Sequence, residues 1–253
     1  TDDKPFFFHM VRIRQFLARQ IDQGAMQFNV TAVMVLANLF VVMAGFAVLF
    51  LILPMLLARP LKLPQLIRHW KPLVYFMLIG LGFIMVEIPL IQRFTLFLGH
   101  PIYSLAVVLF SILFFSSLGS LSTRGASADS ARLFLKKALL PLCVILLAYV
   151  FFLEPLIHAL IGIPTPLKIA VSLALVAPLG WLMGMPFPLG IKLISKDAQF
   201  LIPWCWSLNG AFSVLASVGS IVTAISFGFS AAMAAGGAAY AGVLLMLVLP
   251  SRK

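Results

Sequence analysis

An all-α integral membrane protein of about seven transmembrane helices is the fold class this sequence predicts, and three observations predict it. Of its 253 residues, 62% are apolar and 10% are charged, whereas a soluble domain carries roughly 25% charged residues. The mean hydropathy is +1.12. Apolar runs of about 20 residues, the length that crosses a hydrocarbon core, recur along the whole chain. None alternates in polarity as a barrel strand does, so the runs are helices.

The elements follow in order. In the opening "MVRIRQFLARQIDQGAMQF", Met10, Ile13, Leu17 and Ile21 recur at helical spacing, with Arg12, Arg14 and Arg19 between them. That pattern suits an amphipathic helix in the membrane interface, or a connector packed on a neighbouring domain. Residues 1–28 are therefore expected as an N-terminal connector and interfacial helix, and residues 29–253 as a single transmembrane domain. The spans are expected at Val33 to Leu57, Leu73 to Ile91, Ile102 to Leu121, Phe134 to Leu160, Leu167 to Leu189, Leu201 to Phe227 and Ser230 to Leu249. No signal peptide precedes the first run and the chain starts at Thr1, so a segment cut from something longer is expected.

The net charge of +11 belongs to the ends of these runs. Arg59, Lys62, Arg68, Lys71, Arg124, Arg132, Lys136, Lys137, Lys192, Lys196, Arg252 and Lys253 fall on one side of the topology. By the positive-inside rule that side is cytoplasmic, which leaves the N-terminus on the other side, although Lys4, Arg12, Arg14 and Arg19 before the first span argue the opposite. No basic patch with interleaved aromatics is present, so nucleic acid is not an expected partner.

The polar residues inside the runs are few. Glu87 lies in "GFIMVEIPLIQRF", followed by Pro89, which frees the carbonyl of Met85 from its usual donor. A carboxylate in hydrocarbon is costly and is expected to be hydrogen-bonded or ion-paired, here through Gln92 or Arg93 near the helix exit. Arg93 lies about 120° from Glu87 around an ideal helix, so a direct pair needs a kink. "APLGWLMGMPFPLGIKL" carries Gly184, Pro186 and Pro188. The helix is expected either to break near Met185 to Pro188 or to end at Pro186 and turn along the interface. Asn209, Ser213, Ser217, Ser220 and Ala224 share one face of the sixth run. Ser230, Ala234, Gly237 and Ala241 share a face of the seventh. A tight antiparallel hairpin packed through those faces is expected, with a polar pore lining as the alternative. Trp204 and Trp206 suit an interfacial aromatic belt.

No Gly-rich dinucleotide fingerprint, P-loop, HExxH or GxSxG is present, and there are seven acidic residues in all. A self-contained enzyme is not expected, and no catalytic residue is assigned. Cys143 and Cys205 read as packing thiols. The four histidines lack ligand spacing, so no metal and no cofactor is expected.

The segments "YFMLIGLGFIMVEIPLIQRFTLFLGHPIYSLAVVLFSILFFSSLGS", "GMPFPLGIKL" and "WCWSLNGAFSVLASVGSIVTAISFGFS" resemble the membrane-embedded region of bacterial spermidine-synthase-like multi-span proteins. The resemblance covers most of residues 70 to 245. In that family a Rossmann-type transferase domain is fused to the membrane region, and "TDDKPFFFH" resembles the segment that follows it. The resemblance implies a bacterial inner membrane location and a soluble domain or another protein as partner, besides the lipid bilayer. The transferase motifs of the family are not in this sequence. The expected function is a non-catalytic membrane module that anchors or scaffolds such a partner. One alternative is a transporter-like module for a small cationic solute or protons, using Glu87 and the Gly/Pro helix. A second alternative is the membrane half of a spermidine-synthase-like transferase.

Overall fold

The computed structural model describes residues 27–58, 68–194 and 196–248. Among these residues all the regular structure is helical, and seven helical stretches are long and apolar enough to cross a membrane. The expected interfacial helix and its arginines lie outside the described residues. Helix α1 runs Gln27–Ala47 and continues through a π-helical turn, Val48–Ile52, into Leu53–Ala58. Helix α2 is Trp70–Leu98, and α3 fills Pro101–Ser122 with a π-helical turn at Leu105–Leu109. Then come α4, Ala128–Leu160; α5, Thr165–Met183; α6, Pro186–Leu193; a 3-10 turn, Lys196–Leu201; α7, Ile202–Phe227; and α8, Phe229–Val248.

Two boundaries differ from expectation in ways that matter. Helix α2 does not end at Ile91. Phe94, Phe97 and Leu98 beyond it are apolar and buried, so the helix carries Gln92 and Arg93 inside it and stops only at Gly99. Gly99 takes a left-handed φ of 77° and returns its N–H to the Thr95 carbonyl. Pro101 then starts α3, and the His100 Nδ1 accepts the Ile102 N–H at 3.2 Å. Pro89 sits within the uninterrupted α2 and breaks nothing. Helix α4 starts six residues before the expected Phe134, because Ser127 accepts the Ser130 N–H and Asp129 sits in the first turn.

Helix α2 is the hub. Gly80 and Gly82 lie two residues apart, about 200° around the helix, and so face opposite neighbours. A side chain at Gly80 would overlap the backbone of Asn209 on α7; one at Gly82 would press on Gly236 and Tyr240 of α8. Asn209 Nδ2 donates to the Phe76 carbonyl at 3.1 Å, and Ser213 Oγ donates to the Gly80 carbonyl at 3.2 Å. Phe76 and Gly80 thus meet Asn209 and Ser213 in the same order, so α2 and α7 run parallel. Gly82 meets Tyr240 and Arg93 meets Ser230, in reverse order, so α8 runs antiparallel to both.

The hairpin of α7 and α8 therefore forms, with Gly228 alone between the helices. The expected packing through its two small faces needs correction. Each helix packs more extensively on α2 than on the other, because the glycines at the closest approaches, Gly80 and Gly82 of α2 and Gly236 of α8, lie at the α2 contacts. Gly228 has φ 102° and ψ 166°, a conformation essentially closed to other residues. Gly228→Ala is expected to lose about 2 kcal/mol of stability. Denaturation of the purified protein followed by circular dichroism tests this, and an unchanged midpoint would refute it.

On the other side of the bundle, α3 runs against α5. The sequence shows the reason as Gly180-x3-Gly184. A Cβ at Gly184 would overlap the backbone of Ser116, and one at Gly119 would overlap the Trp181 carbonyl. The two backbones are in direct contact. Helix α6 then packs on α4 and α2, with Leu189 and Gly190 buried. The Lys192 ammonium on α6 donates to the carbonyls of Thr123, Arg124 and Ala126 at 2.7, 3.0 and 2.9 Å. All three of its protons are used, and the turn between α3 and α4 is tied down. Lys192→Met is expected to raise protease cleavage after Arg124 several-fold, since it strips those carbonyls of their donor. Unchanged cleavage would show that the turn holds without it.

Trp204 corrects the aromatic-belt expectation. It is buried in the bundle, and only Trp206 is exposed, with its ring edge-on to Phe187 at 4.6 Å. The two residues are separated by about 200°, so one helix cannot show both to the same surroundings.

Candidate functional site: a polar cleft beside a broken helix

In the interior of an α-helix the backbone satisfies itself except where proline intervenes. Between α5 and α6 the chain has Gly184 and Met185 outside either helix, then Pro186 and Pro188. Pro188 has no N–H, so the Gly184 carbonyl loses its usual donor four residues on. Pro186 denies one to Leu182, whose carbonyl takes the Met185 N–H at 3.4 Å instead. The Pro186 carbonyl is held by the Tyr75 hydroxyl at 2.6 Å. The chain therefore breaks here and continues into the bundle, rather than turning away along its surface.

Beside this break the second half of α3 leans on α5 and stands off from α7. The space between is a cleft of about 730 Å³, within the range of small-molecule sites. Gly184, Pro186 and Pro188 of the break line it together with Asn209 and Ser213 of α7. Ile79, Gly80, Phe83 and Ile84 of α2 and Ser116, Ser117 and Ser120 of α3 line it as well. Tyr240 of α8 completes the lining.

None of the lining residues is charged. Its polar groups are hydroxyls and one amide. Ser116 and Ser117 both donate to the Leu113 carbonyl, at 3.1 and 2.8 Å, and keep their oxygens as acceptors. The amide nitrogen of Asn209 is engaged on α2, and among the described residues nothing donates to its oxygen. Tyr240 is 1% exposed, yet among the described residues nothing hydrogen-bonds its hydroxyl. The cleft thus offers both donors and acceptors within mostly apolar walls. It lies in the half of the bundle nearest Arg68, Lys71, Arg124 and Lys192, about 15 Å deep at Gly80 counted from Trp70 along α2.

Five of the residues singled out in the sequence meet here: Asn209, Ser213, Gly184, Pro186 and Pro188. Glu87, Pro89 and Arg93 do not. Glu87 is buried, 8% exposed, and sits about 5 Å past the midpoint of α2, because the helix is longer than expected. Its displacement toward the helix exit is therefore smaller than expected. Among the described residues none hydrogen-bonds it. Arg93 is not its partner, since the unbroken helix keeps the two on different faces.

Arg93 is 4% exposed and reaches Glu154 of α4 at 3.5 Å and the Ser230 hydroxyl of α8. It joins three helices at the end of the bundle opposite the cleft. Sequence reasoning does not single out Glu154. Its signal is weak, a carboxylate before Pro155 near the end of an apolar run. It also misses Ser116, Ser117 and Ser120, although their spacing places them on one flank of a helix. Tyr240 gives no signal. Among the described residues no group of three His, Cys, Asp or Glu gathers as a metal site would, and both cysteines are free thiols.

Comparison of the chain with protein-family models, with curated proteins and with solved structures found no match in any of the three.

Proposed function

We propose that this chain is a multi-pass membrane module that binds a small molecule in the cleft beside its broken helix, in the manner of a transporter. One observation carries the reading. Features far apart in sequence, the Gly184–Pro188 break, the Asn209–Ser213 face and the α3 serines, converge on one cavity. A module that served only to tether a partner has no use for a cavity lined with hydrogen-bonding groups. Seven apolar helices support insertion in a bilayer. The basic residues at the cleft end support a cytoplasmic face there. The resemblance to the membrane region of spermidine-synthase-like proteins supports the bacterial inner membrane.

The test is retention of a ligand. Protein purified from native membranes is expected to carry a small molecule detectable by mass spectrometry, and Ser120→Phe, which fills the cleft, is expected to lose it. A wild-type protein that carries nothing the variant lacks would sink the reading.

The anchoring role is favoured by a different observation. Helix α1 presents Phe40, Val41, Phe46 and Phe50 outward, and Ala47 is its one buried side chain among those described. Its main helical neighbour is α7. An apolar helix so little covered by its own bundle is available to a second protein in the membrane. Cross-linking from Val41→Cys in native membranes separates the roles: adducts only with lipid count against the anchor.

A further inference from the structure

The chemistry of the cleft narrows what it takes, granted the reading of the cleft as a ligand site. We infer that the ligand is an uncharged, hydrogen-bonding molecule with an apolar body. No Asp, Glu, Lys, Arg or His lines the cleft. The nearest cation on the broken helix, Lys192, has its three protons committed to backbone carbonyls. Glu87 is not among the residues that line it. An ionic ligand would leave water for this space with no counter-charge on the surface it touches, which is strongly unfavourable.

What the cleft does supply is matched to neutral groups. The Tyr240 hydroxyl, nine-tenths buried and unengaged among the described residues, can donate or accept. The Asn209 oxygen accepts, and the oxygens of Ser116 and Ser117 accept. Phe83, Ile84, Met183 and Phe187 provide apolar walls. This placement departs from the alternative reading of a cationic solute or protons handled by Glu87. The lone carboxylate lies about one turn beyond Phe83 and Ile84 on the same face of α2, but it does not itself line the cavity.

The experiment introduces one cysteine at a time, Ser120→Cys and, as a second position, Ser213→Cys, in the full chain in proteoliposomes. The parent chain measured in parallel gives the background from Cys143 and Cys205. The probes are 2-hydroxyethyl, 2-(trimethylammonio)ethyl and 2-sulfonatoethyl methanethiosulfonate, one neutral, one cationic and one anionic. Each rate is divided by that reagent's rate with free 2-mercaptoethanol, which removes intrinsic reactivity. The neutral reagent is expected to modify both positions at least about tenfold faster than either ion. Equal rates for all three would overturn the inference while leaving the cleft as an open site. Preference for the cation would overturn it in favour of a cationic solute held by the field of Glu87. Failure of every reagent at both positions, in variants that elute as the parent does, would remove the ligand site itself.

Discussion

Gly184→Ala is expected to destabilise the protein by about 3 kcal/mol or more, the upper range for overpacking a close contact. The added methyl would occupy the position of the Ser116 backbone, and backbone cannot swing aside as a side-chain tip can. Helices α3 and α5 would have to separate, which would also open one wall of the cleft. Gly219→Ala is the matched control. It lies within α7, and no neighbouring atom comes within 4 Å of where its added methyl would sit. There the change is expected to be neutral or stabilising by up to about 1 kcal/mol, the helix propensity difference. Unfolding in mixed micelles followed by circular dichroism compares the two. If Gly184→Ala proves as benign as Gly219→Ala, direct backbone contact is not what holds α3 on α5.

The second large effect is expected at Arg93. Arg93→Met removes the donors to Glu154 and Ser230 from a site 4% exposed, and a loss of about 2–3 kcal/mol follows for charge-assisted hydrogen bonds in a buried setting. Glu154→Gln is expected to lose under about 1 kcal/mol. Glu154 is 32% exposed and the contact is long, at 3.5 Å, so the ion pair itself contributes little. The ordering is the test. Equal losses from the two variants would mean that the ion pair, rather than the arginine's role as a three-helix tie, carries the stability.

The helices are legible because length and hydropathy decide them, and each of the seven expected spans overlaps one of those found. Polar residues mislead where they sit inside a helix. Gln92 and Arg93 read as an exit, although Phe94, Phe97 and Leu98 beyond them continue the apolar pattern. Proline is ambiguous in the same way. Pro89 is absorbed in α2, whereas α5 stops before Pro186 and Pro188, because two prolines beside Gly184 remove alternate rungs of the ladder within one turn. The cleft is legible in pieces. Asn209, Ser213 and the Gly/Pro run stand out singly, but only the stand-off of α3 from α7 brings them to one space. No pattern along one helix encodes that distance. The glycines of α2 are visible as letters, and their meaning depends on which helices arrive opposite.

The hub position of α2 also has a temporal side. Its two glycine faces are completed by α7 and α8, and α7 begins about a hundred residues after α2 ends. At 5–20 residues per second of synthesis, α2 waits roughly 5–20 s for its neighbours. During that interval the faces at Gly80 and Gly82 are open to any helix with small residues. Loss of the last two helices would leave α2 without either of its principal neighbours.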